Sequence, residues 1–252
     1  MKRLLMLMCA AGMTALSQAA LVDDFQSYET GNLGVTASPP WTSVNNPTSS
    51  NVLIAEEGGN RYFAYFAPTT SVVRGGSRAI SPIEDASTAA TLFLRFYTET
   101  DTFNHAFGLS SNPSPTGFGD LNVMMRVNAG LFDVRSGGVF LPGVAIQPQT
   151  WYNVWAVINQ SADTFDVYLT SGSAGAGETD KVASGAAFRV GTVNPLVSFA
   201  ALVQGYTGAQ AANKVRLDDI YLFEGIVLTN PVPEPAVVSL LGLGSLLLRK
   251  RK

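Results

Sequence analysis

The chain has 252 residues with 16 Lys and Arg against 19 Asp and Glu, a formal charge of −3, and 46% of its residues are hydrophobic. That much apolar material supports one sizeable core and excludes a disordered chain. A single cysteine, Cys9, excludes a disulfide framework, and a single histidine, His105, excludes the usual kind of zinc site and leaves no partner for a histidine-based nucleophile.

In chain order, the first element is a targeting segment. Lys2 and Arg3 precede residues 4–16, which carry no charge, and Ser17 and Ala19 then set small side chains two apart, the spacing that signal peptidase reads. Residues 1–19 are therefore expected to form a signal helix that is cut after Ala19, taking Cys9 with it.

From residue 20 onward apolar residues recur at strand spacing, in runs rich in Val, Phe, Tyr and Thr separated by Gly, Pro, Asn and Ser. The spacing predicts strands over 21–25, 52–55, 61–66, 91–98, 106–110, 121–128, 151–159, 165–170, 197–203 and 214–223. In 91–98, Leu92, Leu94 and Phe96 face one way and Phe93, Arg95 and Tyr97 the other, so only one of the two faces tolerates water. Two hairpins are expected: 131–135 with 139–141 across Ser136-Gly137-Gly138, and 151–159 with 165–170 across Ser161-Ala162-Asp163. Residues 171–185, mostly Ser, Gly and Ala, read as an exposed loop, and 225–235, with three prolines, as an extended linker. No long capped helix and no repeat period stands out, which excludes a propeller or solenoid. The fold class that remains is all-β, a two-sheet antiparallel jelly-roll sandwich.

At the far end Pro233, Glu234 and Pro235 precede the uncharged residues 236–248 and the basic tail Arg249, Lys250, Arg251 and Lys252. Thirteen helical residues reach about 20 Å against a hydrocarbon core of about 30 Å, which makes a short transmembrane helix of marginal length. Basic residues are retained on the cytoplasmic side, so the tail stays in and everything before it faces out. With both ends set aside, 10 basic residues oppose 18 acidic ones, a net of −8 that disfavours nucleic acid and anionic lipid as partners.

The combination of Pro233-Glu234-Pro235, an apolar run ending in Leu246-Leu247-Leu248 and the Arg249-Lys250-Arg251-Lys252 tail resembles the PEP-CTERM sorting signal of Gram-negative bacteria. The resemblance implies transient anchoring in the inner membrane, recognition and removal of the tail by an exosortase, and delivery to the cell surface or the extracellular space. The expected organisation is a signal peptide (1–19), a sandwich domain (20–224), a linker (225–232) and a sorting signal (233–252). The segments Leu21-Val22-Asp23-Asp24-Phe25, Trp151-Tyr152-Asn153-Val154-Trp155 and Val215-Arg216-Leu217-Asp218-Asp219-Ile220-Tyr221-Leu222 resemble laminin-G-like, concanavalin-type sandwiches. In those folds the first and last strands lie side by side.

Several residues are candidates for chemistry. Glu99 and Asp101, two apart, point the same way on a strand, but glucanases with related sandwiches need a further carboxylate and Asn104 stands at its place, so no catalytic site is expected. His105 reads as a surface or core histidine. If the first and last strands are neighbours, Asp23, Asp24, Asp218 and Asp219 converge. They then either hold a structural calcium, which resembling sandwiches often carry near the terminal strands, or alternate between solvent and loop caps. Trp151 and Trp155, four apart, share a sheet face and are expected to pack, whereas Trp41, behind Pro39-Pro40, is expected to be exposed in a loop and to contact ligand. The function that fits is a non-enzymatic surface or matrix protein with an adhesive role. The alternatives are a carbohydrate-binding module taking extracellular polysaccharide and, third, a glycoside hydrolase.

Overall fold

The computed structural model describes residues 19–46, 48–68, 71–85, 88–100, 104–172, 174–204 and 214–232. The expected signal helix before residue 19, Asp101, the motif Pro233, Glu234 and Pro235, the anchor 236–248 and the tail Arg249, Lys250, Arg251 and Lys252 lie outside the described residues. In chain order the strands are β1 (Ala19–Asp23), β2 (Gly31–Asn32), β3 (Trp41–Val44), β4 (Val52–Glu57), β5 (Asn60–Phe66), β6 (Val73–Ile83), β7 (Ala90–Thr98), β8 (His105–Ser110), β9 (Val123–Asn128), β10 (Leu131–Ser136), β11 (Val139–Phe140), β12 (Val144–Ala145), β13 (Trp151–Asn159), β14 (Thr164–Thr170), β15 (Lys181–Ala187), β16 (Leu196–Gln204) and β17 (Lys214–Glu224). A four-residue helix, α1 (Leu33–Thr36), precedes β3, and no helix among the described residues is long and apolar enough to cross a membrane.

The strands form two antiparallel sheets. The first runs β15-β14-β13-β7-β17-β5-β4-β2, with β1 on β17, and the second runs β11-β10-β9-β8-β16-β6-β3, with β12 on β10. The first and last strands are indeed neighbours: Ala19 lies opposite Phe223 and Asp23 opposite Ile220. Residues 214–217 of β17 pair with β5, and β1 takes over along the same edge from Ile220 onward. Both expected hairpins are present, as β10 with β11 and β13 with β14, the second closed by Asp163 in the left-handed region at φ +51°.

The period-two pattern places the core. Leu92, Leu94 and Phe96 of β7 and Val154, Ala156 and Ile158 of β13 meet Phe107, Leu109, Phe199, Ala201, Met125 and Phe132 of the second sheet. Rings interlock across the gap, with Phe96 stacked on Phe132 at 5.6 Å and Trp41 of the second sheet 5.5 Å from Phe63 of the first. Each fully buried Phe contributes about 1.5–3 kcal/mol by leaving water, and such aromatic pairs add roughly 0.5–1.5 kcal/mol.

Three features depart from the expectations. The eleven-residue β6, paired between β16 and β3 in the second sheet, is hidden in the sequence by Gly75, Gly76 and Pro82. Its glycines answer a packing demand: a Cβ on Gly75 would overlap the Ala201 carbonyl oxygen, and one on Gly76 would overlap the Leu33 side chain. Residues 181–185, expected within the loop 171–185, belong instead to the edge strand β15 (Lys181–Ala187). Finally, residues 225–232 are no free linker. They fold back as a strap over the outer face of the first sheet, where Val227, Leu228 and Val232 pack on Phe93, Trp155, Tyr168 and Phe223. Polar contacts tie the strap down: Val227 N–H donates to Thr91 Oγ1 at 3.1 Å, Ala176 N–H donates to the Leu228 carbonyl at 2.8 Å, and Trp155 Nε1 donates to the Thr229 carbonyl at 3.2 Å.

Candidate functional site

The strap covers only part of that outer face. Beside it, β5, β17, β7 and β13 carry a row of aromatic and charged side chains that stays partly open. Alternation along each strand puts them there: Arg95 and Tyr97 project opposite to Leu94 and Phe96, and Trp151 lies directly across from Tyr97. The Trp151 and Tyr97 rings are 5.5 Å apart, and the Arg95 guanidinium lies 4.8 Å from the Trp151 ring. Arg216 is held between two tyrosines, 4.8 Å from the Tyr62 ring and 4.6 Å from the Tyr97 ring. It also pairs with Glu99 at 2.9 Å and with Glu57. Burial alone would lower the Arg216 pKa, and its hydrogen bonds to the two glutamates outweigh that and raise it. Arg216 is therefore a fixed cation in an aromatic frame.

The aspartate pair of β17 continues the row. Asp218 lies opposite Arg95 and Tyr221 opposite Phe93, so β17 has one residue too many there and bulges, with Asp219 in the left-handed region at φ +51°. Asp218 is 2% exposed; its Oδ2 accepts from Asn60 Nδ2 at 2.8 Å and its Oδ1 from the Asp219 N–H at 2.9 Å. Burial, and then the charge of Asp219, push the Asp218 carboxyl up to about 7. Asp219 accepts from Arg95 at 2.9 Å; burial raises its pKa as well, opposed by that guanidinium and assisted by the charge of Asp24. Asp24 accepts the Gln26 N–H at 3.2 Å, and the Gln26 amide bridges to Asn60 at 3.0 Å.

The four aspartates do not converge on one point. Asp23 sits on the core side, 5% exposed, where its carboxylate accepts from Phe25 N–H at 2.8 Å, Tyr28 Oη at 2.7 Å, Trp41 Nε1 at 2.7 Å and the Arg78 guanidinium. Arg78 pairs with Asp23 and Arg95 with Asp219, and among the described residues no group of three or more His, Cys, Asp or Glu is disposed to hold a metal. The donor set does not fit calcium, which corrects the expectation for Asp23, Asp24, Asp218 and Asp219.

Trp41 is corrected too. It is fully buried as the first residue of β3, its ring 5.5 Å from both Phe25 and Phe63, and it contacts no solvent. The sharing of one face by Trp151 and Trp155 holds, but their fates differ: Trp155 is sealed under the strap, whereas Trp151 is partly open. His105 is a buried histidine, 5.1 Å from the Tyr65 ring. Asn104 accepts from Arg126, on the second sheet. Arg95, Tyr97, Arg216 and Tyr62 were not singled out from the sequence, although the alternation over 91–98 already placed two of them on the wetter face.

The two sheets, their order and the adjacency of the terminal strands decide the architecture. The chain has the concanavalin-like lectin and glucanase sandwich fold. Among solved structures, this fold aligns with a sialidase at a TM-score of 0.53 and 10% identity, covering 78% of this chain but only 18% of that one. The catalytic domain of a glycoside hydrolase family 131 protein from Coprinopsis cinerea aligns at 0.52 and 12% identity, covering 75% of this chain and 85% of the other. Lectin UEA-II, solved in complex with galactose, aligns at 0.50 and 8% identity, covering 84% of this chain and 99% of the lectin. No family model and no curated protein matches the sequence. The concanavalin-like fold thus joins this chain to lectins and to hydrolases alike.

Proposed function

We propose that the protein is a non-enzymatic carbohydrate-binding protein of the cell surface, with its saccharide on the open row of the first sheet. The observation that carries this reading is the Trp151 and Tyr97 pair, rings 5.5 Å apart, flanked by the guanidiniums of Arg95 and Arg216 and the carboxylate of Glu99. Aromatic faces suit the C–H face of a pyranose, and the flanking charged groups suit its hydroxyls. The lectin neighbour solved with galactose lends the fold a precedent.

A hydrolytic role has less support. Glu99 and Glu57 are both engaged by Arg216, and Asp218, the one carboxyl in the row raised to about 7, is 2% exposed and out of reach of a substrate. Export and sorting rest on the sequence: Lys2 and Arg3 before an apolar run for signal peptidase, and Pro233, Glu234 and Pro235 before the basic tail for an exosortase, with the inner membrane as a transient host.

The test is a glycan array with the full-length protein. A reproducible hit that weakens roughly tenfold or more on both Trp151→Ala and Tyr97→Ala is expected. Hits that survive both substitutions would overturn the assignment of the face, and sugar release from the bound glycan that is abolished by Glu99→Gln would overturn the non-enzymatic reading. For sorting, the intact mass of the protein from its native host is expected to end between residues 233 and 236; a complete tail refutes processing.

A further inference from the structure

The outer face of the second sheet carries a different arrangement of charge. Among the described residues Arg61, Arg78, Arg95, Arg126 and Arg216 each pair with a carboxylate, whereas Arg135 and Arg189 have none within ion-pair distance. Arg135, on β10, projects outward because its neighbours Phe132 and Val134 face the core. Its Nε donates to the Gly137 carbonyl at 3.0 Å and its NH2 group to the Gly138 carbonyl at 2.6 Å, which fixes the fork, and the guanidinium lies 4.8 Å from the Phe140 ring. Arg126 lies 3.5 Å from the same ring and is neutralised by Asp133 through two hydrogen bonds, at 2.9 Å and 2.7 Å.

Arg189 is brought alongside by the β15 edge. The Gly137 N–H donates to the Ala187 carbonyl at 3.1 Å, the Ala187 N–H donates to Ser136 Oγ at 3.0 Å, and the Arg189 N–H donates to the Asn122 carbonyl at 2.8 Å. The only acceptor of its side chain among the described residues is the Met124 sulfur at 3.5 Å. These backbone contacts set the end of β15 beside β10, and Arg189 there is partly buried and feels the charge of Arg135, both of which lower its pKa, burial the more. Arg74 also lacks a carboxylate, but it stands alone and donates to the Asn45 carbonyl at 3.2 Å.

We infer that Arg135 and Arg189, with Phe140 as an apolar wall, form a binding site for a carboxylate borne on an acidic saccharide. A carboxylate matches the planar donor fork of a guanidinium, and one placed between the two would cancel their repulsion. The excess of Asp and Glu over the rest of the chain selects within the anions: it repels a densely charged polyanion and tolerates single carboxylates spaced along a glycan. The site lies on the opposite sheet from the Trp151 row and stands or falls separately from it.

The probes are trigalacturonate and its methyl ester, titrated into the full-length protein by calorimetry, with heparin as a densely sulfated arm. The acid is expected to bind and the ester not, and Arg135→Gln and Arg189→Gln are each expected to weaken the acid roughly tenfold or more. Arg74→Gln and Trp151→Ala are expected to leave it unchanged. Arg189→Gln removes one of two like charges, so its melting temperature is expected to hold or rise; should it unfold instead, Arg189→Lys, which keeps the charge and loses the fork, is expected to show the weakened binding. Equal binding of acid and ester, wild-type affinity in both arginine variants, or tighter binding of heparin than of the uronate would overturn the assignment.

Discussion

Replacement of Asp23 by alanine probes the junction where the first strand turns into the core. The carboxylate collects four donors, and two of them are left in difficulty without it: Trp41 Nε1, on a fully buried ring, loses its acceptor, and the largely buried Arg78 loses its counter-charge. Breaking a buried ion pair by deleting one partner costs about 3–5 kcal/mol, and an unsatisfied buried donor about 1–3 kcal/mol. Because Arg78 keeps some contact with water, and because the two losses overlap, we expect about 4 kcal/mol in total. For a body of this size that corresponds to a fall in Tm of roughly 8–16 °C. Urea unfolding of the full chain followed by tryptophan fluorescence reads it directly, since Trp41 sits at the perturbation. Asp23→Asn, which keeps an oxygen acceptor but not the charge, should lose about half as much. In a double-mutant cycle with Arg78→Met the two changes should couple by about 1 kcal/mol or more. A loss below about 1 kcal/mol for Asp23→Ala, or strict additivity with Arg78→Met, would refute the reasoning.

Four further outcomes follow from the geometry. A carboxyl whose folded pKa is raised contributes stability that is complete below its unfolded value, near 4, and is lost as pH climbs to about 7, so Asp218→Asn should match wild type in Tm at pH 4 and exceed it increasingly up to pH 8; a gap that does not change with pH counts against the buried charge. Addition of calcium or of a chelator should leave the Tm where it is, because Arg78 and Arg95 already neutralise Asp23 and Asp219; a rise of several degrees with calcium would restore the metal site. Gly75→Ala should destabilise by about 3 kcal/mol or more, since the new methyl meets the backbone of β16 and not a movable side chain, and chemical denaturation would show it. Trp155→Ala should cost about 3–5 kcal/mol and open residues 225–232 to limited proteolysis that the wild type is expected to resist.

Much of the architecture was legible because burial on one face writes itself as period two. The pattern over 91–98 assigned Leu92, Leu94 and Phe96 to the core, and the even spacing of Trp151 and Trp155 put them on one face. What escaped was set by contacts between distant segments. Gly75 and Gly76 read as breakers, yet they are what lets β6 lie flush against β16 and α1. Once β6 is hidden, β3 has no partner, and Trp41 after two prolines looks like a loop residue. The Asp218-Asp219 pair could not be assigned to faces, because the bulge at Asp219 shifts the count by one and nothing local announces it. The open row was half visible: Arg95 and Tyr97 lie in a strand whose other face is unmistakably core, but Arg216 and Tyr62 join them only through strand order, which no local pattern encodes.

Because residues 225–232 are committed to the surface of the first sheet, they contribute nothing to tether length. Eight extended residues would otherwise reach roughly 26–29 Å. Whatever follows residue 232 therefore leaves from a definite spot beside Trp155 and Tyr168, on the same side of the body as the Trp151 row. If that continuation is held at a membrane, residues 225–232 add no slack between it and the body.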